Sequence, residues 1–247
     1  MRALLSFFTV YPAGRATLED AARSQHLLPL LGLFTGLPGV LLLFSGYGLP
    51  AGVAAALAFG AVLLAAGLHH TDGLLDVGDA LMVRGTPERR REAMKDLRVG
   101  VGGVAALFLV YGPALPALSS LAAASPGRAA LALLAGEVAA RSAMLLMLAF
   151  GRPAETASSS APFVAALKTG PRRYVGLALA LALPALVALP LGAGALAVVL
   201  VAPLVAAGAL RVSGRAFGGI GGDATGATGE LTRTLMLLVL SAGPVVG

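Results

Sequence analysis

Residues 69–121 read HHTDGLLDVGDALMVRGTPERRREAMKDLR and run straight into VGVGGVAALFLVYGPALPALSSL. The second part, from Val99, carries no charged side chain over 23 positions. That is enough to cross roughly 30 Å of hydrocarbon at about 1.5 Å per helical residue. The first part holds Asp72, Asp76, Asp79, Glu88, Glu92 and Asp96, half of the 12 acids in a chain of 247 residues. So sharp a boundary predicts a polar segment at a membrane face joined to a spanning helix.

Composition extends this reading to the whole chain. Hydrophobic residues make up 57% and charged residues 12%, with a mean hydropathy of +0.88, against roughly 25% charged in a soluble domain. Seven apolar runs can be placed, at about 27–46, 50–68, 99–121, 128–150, 174–190, 192–210 and 230–246. Pro184, Pro203 and Pro244 interrupt the last three. The expected fold is an all-α polytopic membrane bundle of about seven transmembrane helices, one integral domain over 1–247. Residues 1–23 form a short amphipathic or re-entrant piece and a loop, read as retained because no small-residue cleavage site precedes Pro12. With no cysteine, disulfides and thiolate metal sites are excluded.

The basic residues set the orientation. With the N-terminus cytoplasmic, the cytoplasmic segments are 1–26, 69–98, 151–173 and 211–229, and they hold 15 of the 18 Lys and Arg. Such asymmetry follows the positive-inside rule, so the net charge of +6 marks loops at a lipid bilayer and not a nucleic-acid surface. Every polar loop then lies on one face.

Within 69–98, Asp72, Asp76 and Asp79 fall at i, i+4 and i+7, one face of a helix. Like charges so spaced repel by a few tenths of a kcal/mol per pair even in water. A hard cation such as Mg2+, which takes carboxylate oxygens and keeps sites for a phosphate, would relieve them; a solvated acidic face is the alternative. Thr86 and Pro87 suit the cap and first residue of a second helix. Its Glu88 to Arg91 read as an ion-paired surface. Asp96 and Arg98 abut Gly100, Gly102 and Gly103, where a backbone can approach a phosphate. His69 and His70 could each serve as a base or simply hydrogen-bond at the membrane edge. Arg84 and Lys95 flank the acids and could bind a phosphate.

Two further groups stand out. Glu137 and Arg141, at i and i+4 in mid-span, must face the bundle interior, as a structural pair or with Arg141 on a substrate. RAFGGIGGDATGATGE, 215–230, sets Gly218, Gly219, Gly221 and Gly222 between Arg215 and Asp223, with Glu230 seven residues on, either an anion-facing loop or a helix entrance with Asp223 as cap.

The block His70-Thr71-Asp72-Gly73-Leu74-Leu75-Asp76-Val77-Gly78-Asp79, followed by Met94-Lys95-Asp96-Leu97-Arg98-Val99-Gly100, resembles the signature of the cobalamin synthase family, the adenosylcobinamide-GDP ribazoletransferases. Pro29-Leu30-Leu31-Gly32, Arg141, and Gly218-Gly219 with Gly222-Asp223 and Gly226-Ala227 through Glu230 resemble its other elements. The resemblance covers essentially the whole chain. Leu97, Gly102, Ala80, Arg233 and the Ala- and Ser-rich loop from Arg152 to Phe163 depart from it.

The resemblance implies an enzyme of the cell (inner) membrane that closes the nucleotide loop of cobalamin. Adenosylcobinamide-GDP and α-ribazole, or its 5′-phosphate, would give adenosylcobalamin, or its phosphate, and GMP. It implies Mg2+ as cofactor, held by Asp72, Asp76 and Asp79 with Asp223 completing the site. His70 and Asp96 are candidate bases, and Arg84, Lys95, Arg98, Arg141 and Arg215 would bind substrate. A large substrate beside a small bundle also suits a cavity open to a second subunit, a homo-oligomer. The rival readings are a phosphotransferase of CDP-alcohol type, whose motif differs in order and spacing, a transporter, and a structural subunit.

Overall fold

A computed structural model describes residues 1–46, 48–156, 158–168, 170–192 and 198–242. Its helices are α1 (Arg2–Phe8), α2 (Leu18–Ser24), α3 (Leu28–Ser45), α4 (Ala51–Ala65), α5 (His69–Met82), α6 (Pro87–Ala93), α7 (Val101–Ala124), α8 (Pro126–Phe150), α9 (Ala161–Ala166), α10 (Pro171–Ala188), α11 (Val198–Phe217) and α12 (Gly222–Ser241). No strand occurs among the described residues, so the chain is all-α as expected.

Five of these segments are long and apolar enough to span a membrane, or six if α4 and α5 are taken as one broken span. That makes the chain a multi-pass membrane protein, with one or two such segments fewer than the seven runs in the sequence. The seventh run is where they differ most. Hydropathy begins it at residue 230, whereas α12 starts eight residues earlier, at Gly222. Its first 13 residues, 222–234, carry Asp223, Glu230, Arg233 and a series of threonines, nearly all of them buried against neighbouring helices. Pro184 and Pro203 sit inside α10 and α11 without ending them, as neighbouring helices permit. Pro244 lies outside the described residues.

The bundle is built round α8. Apolar round nearly all of its surface, with Glu137, Arg141 and Ser142 turned inward, this helix is buried almost without interruption from Ala129 to Leu148, as a helix without a solvated polar face must be. It packs against α3, α7, α10, α11 and α12. The approach of α3 depends on small residues, as between membrane helices generally. A Cβ at Gly32 would lie 2.6 Å from the Val138 Cα, so only hydrogen fits there.

Between α4 and α5 the chain bends by 93°. Gly67 and Leu68 make the turn with positive φ, 72° and 60°, a region that costs a side-chain-bearing residue about 1–2 kcal/mol. The bend directs α5 along α7 and α12, towards the end of the bundle where α1, α6, α9 and residues 151–156 and 158–160 also gather.

Candidate active site

Two glycines seat α5. A Cβ on Gly73 would lie 2.8 Å from the Asp223 Cα, and one on Gly78 would lie 2.7 Å from the Gly102 carbonyl oxygen. The helix is thus wedged between the start of α12 and the start of α7, and its three aspartates divide between these neighbours. Asp79 turns to α7, where its Oδ2 accepts from the Gly100 N–H at 2.7 Å and its Oδ1 from the Gly103 N–H at 2.8 Å. It caps the orphan donors of that helix from outside. Asp72 and Asp76 stay on the side of Asp223. The charges of Asp72, Asp223 and Asp79 all act on Asp76.

Among the described residues, Asp72, Asp76 and Asp223 have neither an ion-pair nor a hydrogen-bond partner. Nor do three or more acids or histidines there approach closely enough to enclose a metal on their own. Unpaired carboxylates beside one another suit Mg2+, which takes one or two carboxylates and completes its octahedron with waters and substrate phosphates.

Beneath α5 lies a buried charge network. Glu137 accepts from Thr35 Oγ1 at 2.6 Å, from Arg141 at 3.4 Å and from Arg233. Arg233 also binds Glu230, with one contact at 3.0 Å. Tyr111 donates to Glu230 at 2.8 Å and meets Thr71 of α5 at 2.8 Å. Two carboxylates and two guanidinium groups balance, as buried charges in a membrane must. Arg141 therefore belongs to the interior, the structural alternative for it, and lines neither of the cavities described below.

The network reaches the surface through His70. Arg141 places an N–H 2.6 Å from its Nδ1. A guanidinium cannot accept, so Nδ1 must, and the ring proton sits on Nε2. His70 thus offers a donor to the cavity it lines, which is not the arrangement of a base.

Two cavities open beside α5. The first, of about 390 Å³, is walled by Phe7, Phe8, Phe163, Met144 and Leu148, with His69, His70, Ser159, Ser160, Gly222, Asp223 and Thr225. The second, of about 340 Å³, is bounded by Arg91, Lys95, Glu155, Phe217 and the first turn of α12. They share Ser159, Gly222 and Asp223.

Several expected substrate contacts lie elsewhere. Arg84, Arg98 and Arg215 are exposed and line neither cavity, because long cations at the edge of a bundle gain most in water. Asp96 is also exposed, gripped by Arg98 through Nε at 3.1 Å and NH2 at 2.9 Å. Those hydrogen bonds hold its carboxyl down at about 2, too weak a base for proton abstraction near neutrality. Of the loop cations named from sequence, Lys95 lines a cavity.

Arg91, helix surface by its sequence pattern, points inward. Its Nε donates to Glu155 Oε1 at 2.9 Å, its NH1 to the Phe217 carbonyl at 2.6 Å and its NH2 to Glu88 at 3.3 Å. The Thr86 cap and Pro87 start of its helix are as expected. The serine-rich loop contributes as well. Ser160 donates to the Ile220 carbonyl at 3.0 Å, and Ser158 and Ser159 line the second cavity. Gly219 and Ile220 do not face an anion; they pair with 152–154, the Ile220 N–H donating to the Arg152 carbonyl at 2.8 Å.

Compared with known proteins, residues 1–241 match the family model described as cobalamin-5-phosphate synthase. An adenosylcobinamide-GDP ribazoletransferase of Bradyrhizobium diazoefficiens is 35% identical over 252 residues, covering 98% of this chain and 93% of that protein. One of Azorhizobium caulinodans is 36% identical over 247 residues, 96% and 92% respectively. One of the archaeon Methanococcoides burtonii is 31% identical over 252 residues, 98% and 91%. No solved structure matches the chain.

Proposed function

The chain belongs to the cobalamin-5-phosphate synthase family, and we propose from that premise that it is an adenosylcobinamide-GDP ribazoletransferase. It transfers the adenosylcobinamide-phosphate moiety of adenosylcobinamide-GDP to α-ribazole, or to its 5′-phosphate, and releases GMP. Membership sets aside the CDP-alcohol, transporter and scaffold alternatives. The observation that carries the site is the meeting of two cavities at Asp223, beside the unpaired carboxylates of Asp72 and Asp76.

The chemistry is displacement at phosphorus. A ribazole hydroxyl oxygen bonds to the phosphorus that carries the cobinamide, the bond from that phosphorus to the bridging oxygen breaks, and GMP leaves with the electron pair. Such transfers are catalysed by positioning and charge stabilisation more than by covalent chemistry. Asp223, the acid that faces both cavities, takes the hydroxyl proton on a carboxylate oxygen. Nε2–H of His70 donates to the acceptor or to a phosphoryl oxygen, and Arg141 holds the ring in that tautomer. Asp79 keeps α5 in register with α7. Asp72 and Asp76 would hold Mg2+, which when bound neutralises the diphosphate. Asp223 is thereby assigned to the proton and not to the metal.

The loops that frame the site carry Arg91, Lys95, Arg98, Arg152 and Arg215, so this end of the bundle is assigned to the cytoplasmic face of the inner membrane. The test is to incubate the purified protein in detergent with Mg2+, adenosylcobinamide-GDP and α-ribazole. Release of GMP that EDTA abolishes and Mg2+ restores supports the reading; no GMP ends it.

A further inference from the structure

The two cavities differ in what they can hold. The first has an aromatic wall, with Phe163 ring centroids 5.9 Å from those of both Phe7 and Phe8, and no Lys or Arg among its lining residues. The second has Arg91 and Lys95 in its wall, beside Glu155, Asp223 and the opening turn of α12. Both fall within the roughly 300–1,000 Å³ typical of small-molecule sites. A nucleotide monophosphate cannot shed its charge in the first. The cations of the second gain a partner only from a ligand that brings a phosphate.

Arg91 is built to stay where it is. Its side chain is 15% exposed, and its three fixed contacts use one N–H each from Nε, NH1 and NH2. A guanidinium carries five N–H groups, so two remain, on a group whose position Glu155 and the Phe217 carbonyl already determine. Planar, preset donors of this kind bind phosphate oxygens at little ordering cost. Lys95 Nζ, 4.0 Å from the other oxygen of Glu155 and largely exposed, can swing to the same anion.

We infer that the second cavity, the one holding Arg91 and Lys95, is the guanosine-nucleotide subsite, with Arg91 as its phosphate-binding side chain, and that the aromatic cavity takes the base of the ribazole acceptor. The inference rests on the transferase reading above and deepens it. The cavities meet at Ser159, Gly222 and Asp223, so the acceptor oxygen and the departing GMP oxygen lie on opposite sides of the phosphorus. In-line displacement requires that arrangement.

Two measurements on the full chain in detergent test this: calorimetric binding of GMP, and the KM of each substrate. Arg91→Ala is expected to weaken GMP binding by about tenfold to a hundredfold, the range for a lost charged hydrogen bond, and Arg91→Lys by less. The KM for α-ribazole should move under about twofold in both, within the scatter of an uncoupled site. Phe163→Ala should raise the KM for α-ribazole and leave GMP binding unchanged. Arg91→Lys, which keeps the charge, guards against misfolding of the alanine variant. Wild-type protein that does not bind GMP, unchanged GMP binding in both Arg91 variants, or Arg91 variants that raise only the α-ribazole KM would each overturn the assignment. If wild type binds GMP through Arg91 yet makes none from the two substrates, the subsite stands and the reaction reading falls.

Discussion

Arg141 NH1 lies 2.6 Å from His70 Nδ1, and that one contact decides what the histidine can do. With Nδ1 accepting, the ring carries its proton on Nε2 and serves as a donor. His70→Gln places an amide N–H close to the position of Nε2 and should keep kcat within about tenfold of wild type. His70→Ala should lose about a hundredfold or more, the range for a positioned group of this kind. Equal losses in both variants would return His70 to the role of base.

Arg233 joins two carboxylates, Glu137 and Glu230, in the apolar interior of the bundle. Arg233→Met removes the cation and leaves both anions buried. Breaking a buried pair from one side costs about 3–5 kcal/mol, so this variant should melt far below wild type in the same detergent. An unchanged melting temperature would mean that the network is wetter than its burial indicates.

Asp76 and Asp79 are one turn apart on α5 yet should fail differently. Asp79 accepts from two N–H groups of α7, so Asp79→Ala should cost about 0.5–2 kcal/mol of stability, as lost caps do. The Mg2+ concentration for half-maximal rate should hardly change. Asp76→Asn should do the opposite, raising that concentration with little effect on melting. A metal titration beside a melting curve for each variant separates the two roles.

How far these roles could be read in advance depended on the distance over which each acts. Hydropathy is a local property, and it located α3, α4, α7 and α8 to within a few residues. It missed the start of α12, residues 222–229, because its glycines, threonines and Asp223 lack hydropathy and most of them are buried by partners remote in sequence, Gly226 against His70 and Gly229 against Met144. The spacing of Asp72, Asp76 and Asp79 put them on one helix face, but nothing local showed that Asp79 would be drawn off by Gly100 and Gly103. Arg91 looked like its neighbours Arg89 and Arg90. Its distinguishing partner, the Phe217 carbonyl, is 126 residues away.

Asp96 gives a prediction about pH. Its carboxyl, held near 2 by Arg98, stays ionised throughout the working range. The sign follows from a folded value below the ordinary carboxylate value near 3.8. Any stabilisation from the pair is present above that value and is lost as pH falls towards 2. Between pH 5 and 9, Asp96→Asn should therefore leave the shape of the rate profile as it is. A lost acidic limb in that variant would restore Asp96 as a base.

The α3–α8 contact predicts opposite outcomes for the same chemical change at two glycines. A Cβ at Gly32 would lie 2.6 Å from the Val138 Cα and 2.8 Å from the Glu137 carbonyl oxygen. Both are backbone atoms and cannot rotate aside. Gly32→Ala must push α3 away from α8, and the 2.6 Å bond from Thr35 to Glu137 opens with it. Overpacking of this kind costs about 1–3 kcal/mol, and here it also strips a partner from a buried carboxylate. Around Gly60, in the middle of α4, a Cβ would meet nothing within 4 Å. Gly60→Ala should be neutral or raise stability by up to about 1 kcal/mol through helix propensity. Melting both variants in one detergent checks the pair, and a Gly32→Ala protein as stable as Gly60→Ala would show that α3 and α8 are not in contact there.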